Sequence, residues 1–167
     1  GNLAGGGFMV IHLAKEDRTI ALDYREMAPA ESHREMFLDE AGDVDKRAAR
    51  YSIKSSGVPG TVAGLLHAHK SYGVLNIEKV LSPAIKLARD GFEVSLDLSS
   101  SLSSRYERLS SNLASRKYFF KPNGESYQPG ELFIQKDLAQ TLARISEYGR
   151  AGFYEGKTAK LIVDEMK

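Results

Sequence analysis

Arg25 and Glu26 stand side by side in Asp23-Tyr24-Arg25-Glu26-Met27-Ala28-Pro29-Ala30, and they are the residues with the clearest chemical potential in the chain. An arginine presents a planar fork of N–H donors that holds a carboxylate through two parallel hydrogen bonds. The setting suits such a role. Pro29 pushes Ala28 out of the helical region, so an extended segment ends here in a turn. Loops that follow strands carry much of the binding done by proteins. The other reading of Arg25 is a surface ion pair, which contributes little. On these residues alone both readings stand.

The remaining reactive side chains do not assemble into a site by spacing. His67 and His69 lie two apart on a predicted helix and so diverge, His12 and His33 lie elsewhere, and no His-Glu-x-x-His pattern is present. Thr61 has no base near it in sequence, and threonine nucleophiles typically use their own free amine. Asp39-Glu40-Ala41-Gly42-Asp43 lacks the alternating ligands and closing glutamate of a calcium loop. Gly5-Gly6-Gly7 leads into a strand rather than a helix, without the lysine and hydroxyl of a phosphate loop, and Gly64 to Ser71 lacks that motif's second glycine. The absence of cysteine excludes disulfides, cysteine nucleophiles and thiolate metal sites. No metal and no cofactor are expected.

The 167 residues around Arg25 suffice for one domain with a core. With 42% apolar and 27% charged residues, the composition is that of an ordinary globular protein. A net charge of +1 gives no strong pull toward nucleic acid or an anionic membrane. No apolar run approaches the ~20 residues of a membrane span. The opening Gly1-Asn2-Leu3 falls inside a glycine-rich turn, which reads as a piece of a longer protein or a mature fragment.

Phe8 to Leu13 is an apolar run suited to a buried strand, Lys15 to Arg18 a polar turn, and Thr19 to Tyr24 a second strand. The two form an antiparallel hairpin that needs further partners, since an isolated hairpin is marginal in water. Residues 31–56 read as an irregular polar loop. Pro59 and Thr61 suit the start of a helix that Tyr72-Gly73 ends. Gly60 and Gly64, four apart, allow another backbone to pack closely. A helix follows with Val80, Leu81, Ala84, Ile85, Leu87 and Ala88 as its buried face, kinked or restarted at Pro83 and closed by Gly91. Residues 95–115 read as a serine-rich helix carrying Leu98, Leu102 and Leu109, with a basic edge of Arg105, Arg108, Arg116 and Lys117 for which the near-neutral total charge disfavours a nucleic-acid role. Residues 118–132 form a loop with turns at Pro122-Asn123-Gly124 and Pro129-Gly130. A helix through Leu138, Leu142 and Ile145 ends near Gly149, Phe153 to Gly156 turns, and a last helix holds Ala159, Ile162, Val163 and Met166. The predicted class is α+β: an N-terminal β-hairpin followed by about five helices, with residues 1–167 forming a single partial domain.

In order along the chain, several stretches resemble the large subunit of bacterial γ-glutamyltranspeptidase. They are Gly1-Asn2-Leu3-Ala4-Gly5-Gly6-Gly7-Phe8-Met9, Asp23 to Ala30, Met36-Phe37-Leu38-Asp39, Gly57 to Gly64, Pro83 to Phe92, and Phe153-Tyr154-Glu155-Gly156. Ala4 departs from the family's usual glycine. The resemblance covers essentially the whole chain. It implies a partial piece of the αββα sandwich of the N-terminal-nucleophile hydrolases, in which a precursor cleaves itself and the new N-terminal threonine of the small subunit attacks a γ-glutamyl amide such as glutathione. The acyl group then passes to an amino acid, a peptide or water. It implies that Arg25 pairs with the substrate's α-carboxylate and that Glu26 orients that arginine or touches the site. It implies as partners the rest of the large subunit and the small catalytic subunit, which carries the nucleophile, and a periplasmic or secreted location. The fragment alone is then expected to be inactive. Alternatives are a poly-γ-glutamate depolymerase or an acylase-type amidase of the same family, or a non-catalytic binding domain.

Overall fold

The computed structural model describes residues 2–166. The chain divides into two compact units. One holds the residues up to Asn76 together with those from Tyr148 onward, and the other runs from Ile77 to Glu147.

The first unit begins with the hairpin. Strand β1 (Phe8–Leu13) pairs antiparallel with β2 (Arg18–Asp23), Phe8 opposite Asp23 and Leu13 opposite Arg18. The turn between them holds Asp17 at φ 45°, the left-handed region that a short polar side chain tolerates. The strands alternate between partly covered and exposed residues, so β1 is not the buried strand its apolar run suggests. Phe8 and Val10 are 66% and 74% exposed. Met27 and Val58 form an isolated antiparallel bridge beyond the hairpin.

Residues 31–56 are more ordered than their polarity predicts. Asp39 Oδ1 accepts from Ala41 and Asp43 N–H groups, closing a tight loop. Asp45 then caps helix α1 (Lys46–Tyr51), accepting from Arg47 and Ala48. A 3-10 turn follows at Ile53–Ser55. Helix α2 (Thr61–Tyr72) starts and stops where Thr61 and Gly73 indicate. At the far end of the unit come α8 (Ala151–Tyr154) and α9 (Gly156–Glu165). Phe153 and Tyr154 therefore lie on a short helix rather than a turn. Thr158, buried, donates to the Gly152 carbonyl at 2.7 Å and ties α9 to α8.

The second unit opens with α3 (Ile77–Asp90), which runs unbroken through Pro83. Proline lacks the N–H that would bond the Lys79 carbonyl. The Ser82 hydroxyl donates to that carbonyl instead, at 3.3 Å. Of the predicted apolar face only Ala88 is fully buried, while Val80 and Leu87 are about half exposed. Gly91, at φ 91°, ends the helix. The stretch read as one serine-rich helix is three: α4 (Leu96–Ser104), α5 (Tyr106–Ser110) and α6 (Leu113–Phe119). Ser104, Ser110 and Ser111 turn their hydroxyls back onto carbonyls three residues upstream, a bonding mode that competes with a long helix. Ser95 and Asn112 cap α4 and α6. The short strands β3 (Phe92–Glu93) and β4 (Leu132–Phe133) pair antiparallel, a contact the sequence reading lacks. Phe133 meets Phe92 and Tyr127 edge to face. Helix α7 (Lys136–Tyr148) buries Ala139, Leu142 and Ile145 at helical spacing.

The α+β class therefore holds, with nine α-helices rather than five among the described residues.

Candidate carboxylate-binding site

Arg25 leaves the hairpin at the end of β2, and its backbone is fastened on both sides. Upstream, Tyr24 and Gly7 exchange backbone hydrogen bonds of 2.9 and 3.4 Å, which extends the β1–β2 ladder by one pair. Downstream, Met27 and Val58 exchange bonds of 3.3 and 2.8 Å. Between them, the Arg25 N–H donates to Asp23 Oδ1 at 2.9 Å. Asp23 thus serves the local turn, as aspartates do two residues before a free N–H.

The glycines of the chain explain how this segment is seated. A Cβ at residue 60 would lie 2.0 Å from the Tyr24 carbonyl oxygen, and one at residue 64 would lie 2.2 Å from Tyr24 Cγ. Real side chains do not approach so closely, so both positions demand glycine. The spacing of four allows another backbone to pack closely here. It is the Tyr24–Arg25 backbone at Gly60, and the Tyr24 ring at Gly64. Gly5 completes the seat from the other side, its carbonyl accepting from both Gly60 and Thr61 N–H groups at 2.9 Å.

The Arg25 side chain is exposed and has no ion-pair or hydrogen-bond partner among the described residues. The neighbouring Glu26 does not pair with it. Glu26 runs instead over the glycines, its Cβ against Gly57 and Oε1 toward Gly5. The surface ion pair that was one reading of Arg25 is therefore not formed. A fixed backbone carrying an unpaired guanidinium is an arrangement ready for an external carboxylate.

Three of the other reactive residues have structural occupations. His69 hydrogen-bonds the Leu75 carbonyl at 2.8 Å, His12 meets Thr19, and Asp39 is engaged by its own loop. No cluster of three or more histidines and carboxylates able to hold a metal occurs among the described residues. Also among them, no helix is long and apolar enough to cross a membrane. One contributor escaped the sequence reading. Tyr154 donates its hydroxyl to the Pro59 carbonyl at 2.7 Å and accepts from Ala63 N–H at 3.2 Å, at the start of α2. Its signal was visible only as part of Phe153-Tyr154-Glu155-Gly156, which spacing alone could not connect to residues some ninety positions upstream.

The family model described as gamma-glutamyltranspeptidase matches residues 1–167. The chain belongs to the gamma-glutamyltranspeptidase family. It is 43% identical over 167 residues to the glutathione hydrolase proenzyme of Escherichia coli (strain K12), covering 100% of this chain and 29% of that protein. The crystal structure of Helicobacter pylori gamma-glutamyltranspeptidase superposes with a TM-score of 0.95 at 44% identity, covering 99% of this chain and 47% of that one. The Bacillus anthracis transpeptidase CapD superposes with a TM-score of 0.78 at 34% identity, covering 99% of this chain and 50% of that one. The chain thus spans somewhat under a third of the curated relative's length and about half of each solved chain.

Proposed function

We propose that the protein containing this chain cleaves γ-glutamyl amides, glutathione among them, and passes the γ-glutamyl group to amino acids, peptides or water. Family membership supports the reaction class, and the printed names of the relatives support the substrate class. The observation that carries the role of this chain is the unpaired Arg25 guanidinium on a backbone fixed by its neighbours on both sides.

In this reading Arg25 holds the substrate's α-carboxylate in a bidentate grip. With that end fixed, the γ-carbonyl is presented to the nucleophile in one orientation, which removes much of the entropic cost of the attack. Glu26 lines the same site and does not orient Arg25 by direct pairing. The nucleophilic threonine, whose own α-amine acts as base, comes from the small subunit, and the remainder of the large subunit completes the pocket. The threonine Oγ attacks the γ-carbonyl carbon, the amine departs with a proton, and water or an acceptor amine then releases the acyl group. A periplasmic or secreted location is part of the same proposal, rests on the family resemblance alone, and is tested by cell fractionation.

A capsule-type transpeptidase reading has one specific support, the 35% identity to the capsule biosynthesis protein CapD proenzyme of Bacillus anthracis over 98% of this chain. The higher identity to the glutathione hydrolase proenzymes favours the first reading. Hydrolysis of a chromogenic γ-glutamyl anilide by the full-length protein, compared with release of glutamate from poly-γ-glutamate, separates the two. Cleavage of the polymer with no cleavage of the anilide would sink the glutathione-type assignment.

A further inference from the structure

We infer that Tyr154 is a positioning residue for Arg25, its phenol supplying the helix cap that Gly60 is unable to provide. The inference rests on the proposed role of Arg25.

A helix start leaves its first N–H groups without intrahelical acceptors, and a serine, threonine or aspartate at the cap position ordinarily satisfies one. At α2 the cap position is Gly60, which has no side chain to offer. It is also barred from having one, because its Cβ would collide with the Tyr24 carbonyl oxygen. The close approach that seats Arg25 therefore strips the helix of its own cap. Tyr154 restores it from a distant part of the chain. Ala63 N–H, whose partner four residues upstream would be the Pro59 carbonyl, donates to the Tyr154 oxygen at 3.2 Å. The same oxygen donates its proton to Pro59 at 2.7 Å. One hydroxyl thus bridges both ends of a bond the helix does not make itself.

The ring is held for this task. The Arg150 guanidinium sits 4.7 Å from its centroid, and Phe153 packs edge to face at 5.1 Å. The bridge fixes residues 59–63, whose Gly60 lies against the Tyr24 and Arg25 carbonyl groups. Arg25 and Tyr154 thereby belong to one compact unit, joined through Gly60 rather than by direct contact.

The test uses the full-length protein and a γ-glutamyl anilide, with Tyr154→Phe, Arg25→Ala, the double variant, and Ser99→Ala. Ser99 is a comparison for simple loss of a buried hydrogen bond, since its hydroxyl donates to the Tyr127 carbonyl at 2.8 Å in the other unit. Tyr154→Phe is expected to raise KM about 3- to 10-fold with kcat nearly unchanged, since both hydrogen bonds of the hydroxyl are lost but only their effect on the seat of Arg25 reaches KM. Added to Arg25→Ala it is expected to raise KM no further, because both act on one contact. Ser99→Ala is expected to leave KM unchanged. An unchanged KM in Tyr154→Phe while Arg25→Ala raises it would overturn the inference alone. Multiplying effects in the double variant, or an equal rise in Ser99→Ala, would also overturn it. An unchanged KM in Arg25→Ala would remove the Arg25 reading and this inference with it. Amide exchange in the unaltered protein needs no variant: Ala63 is expected to be protected despite lying in a first turn, and exchange at the free-amide rate contradicts the bridge.

Discussion

The carbonyl oxygen of Tyr24 rests so closely on Gly60 that a Cβ there would stand 2.0 Å away. Two segments that are 36 residues apart in sequence are thereby locked at backbone distance, and Arg25 is the next residue along. The site is held by what is missing from Gly60 and Gly64 as much as by any side chain.

Replacing Gly64 with alanine tests this directly. Helix propensity alone would favour alanine by about 1 kcal/mol. The new Cβ, however, would lie 2.2 Å from Tyr24 Cγ and 2.3 Å from Tyr24 Cβ. Shortening the Tyr24 side chain cannot relieve the second contact, so the backbone must move. Overpacking of this kind costs about 1–3 kcal/mol, which outweighs the propensity gain. Gly64→Ala in the full-length protein is expected to lower the thermal midpoint and raise KM for a γ-glutamyl anilide. A variant as stable as the parent would refute the close-packed seat.

Acid should loosen the second unit through Glu131. The Gln128 N–H, 2.7 Å from Glu131 Oε2, and the Lys121 ammonium hold the Glu131 carboxyl below the usual carboxylate range. A group whose pKa is lowered on folding stabilises the fold above its unfolded pKa and loses that contribution as pH falls through the folded value. The stability gap between the parent and Glu131→Gln is therefore expected to be full near neutral pH and to close as pH falls below about 4.5. Lys121 is held above its ordinary value, chiefly by its hydrogen bond to Glu131, so its share is lost only in strong alkali. Thermal unfolding of both proteins across this range is the measurement, and a gap independent of pH would contradict it.

The 167-residue chain expressed by itself is expected to turn over no γ-glutamyl amide, since the proposed nucleophile belongs to the small subunit. Release of anilide above the uncatalysed rate by the purified chain would overturn that assignment of roles.

Much of this was legible in advance where one local rule decided the outcome. The hairpin followed from two short apolar runs around a polar turn, α2 from Pro59 and Thr61, and the ends of α3 and α7 from Gly91 and Gly149. The misses have a common cause in competition or distance. Serine hydroxyls divided residues 95–119 into three helices by bonding carbonyls within the chain. The Ser82 hydroxyl let α3 pass through Pro83. Asp45 organised a short helix inside a stretch too polar to show an apolar period. At the site, Arg25 stood out by residue type and by its place before Pro29. That Glu26 leaves it unpaired, and that Tyr154 caps α2, depend on contacts no local pattern encodes.

The most direct test of the account is the kinetics of Arg25→Ala and Arg25→Lys in the full-length protein with a γ-glutamyl anilide. Loss of a charge-assisted bidentate pair is expected to raise KM about 10- to 100-fold in Arg25→Ala, with a smaller effect on kcat. Lysine keeps the charge but not the fork, so Arg25→Lys is expected to recover only part of that loss. A KM equal to the parent's in both variants would contradict the claim that Arg25 holds the substrate carboxylate.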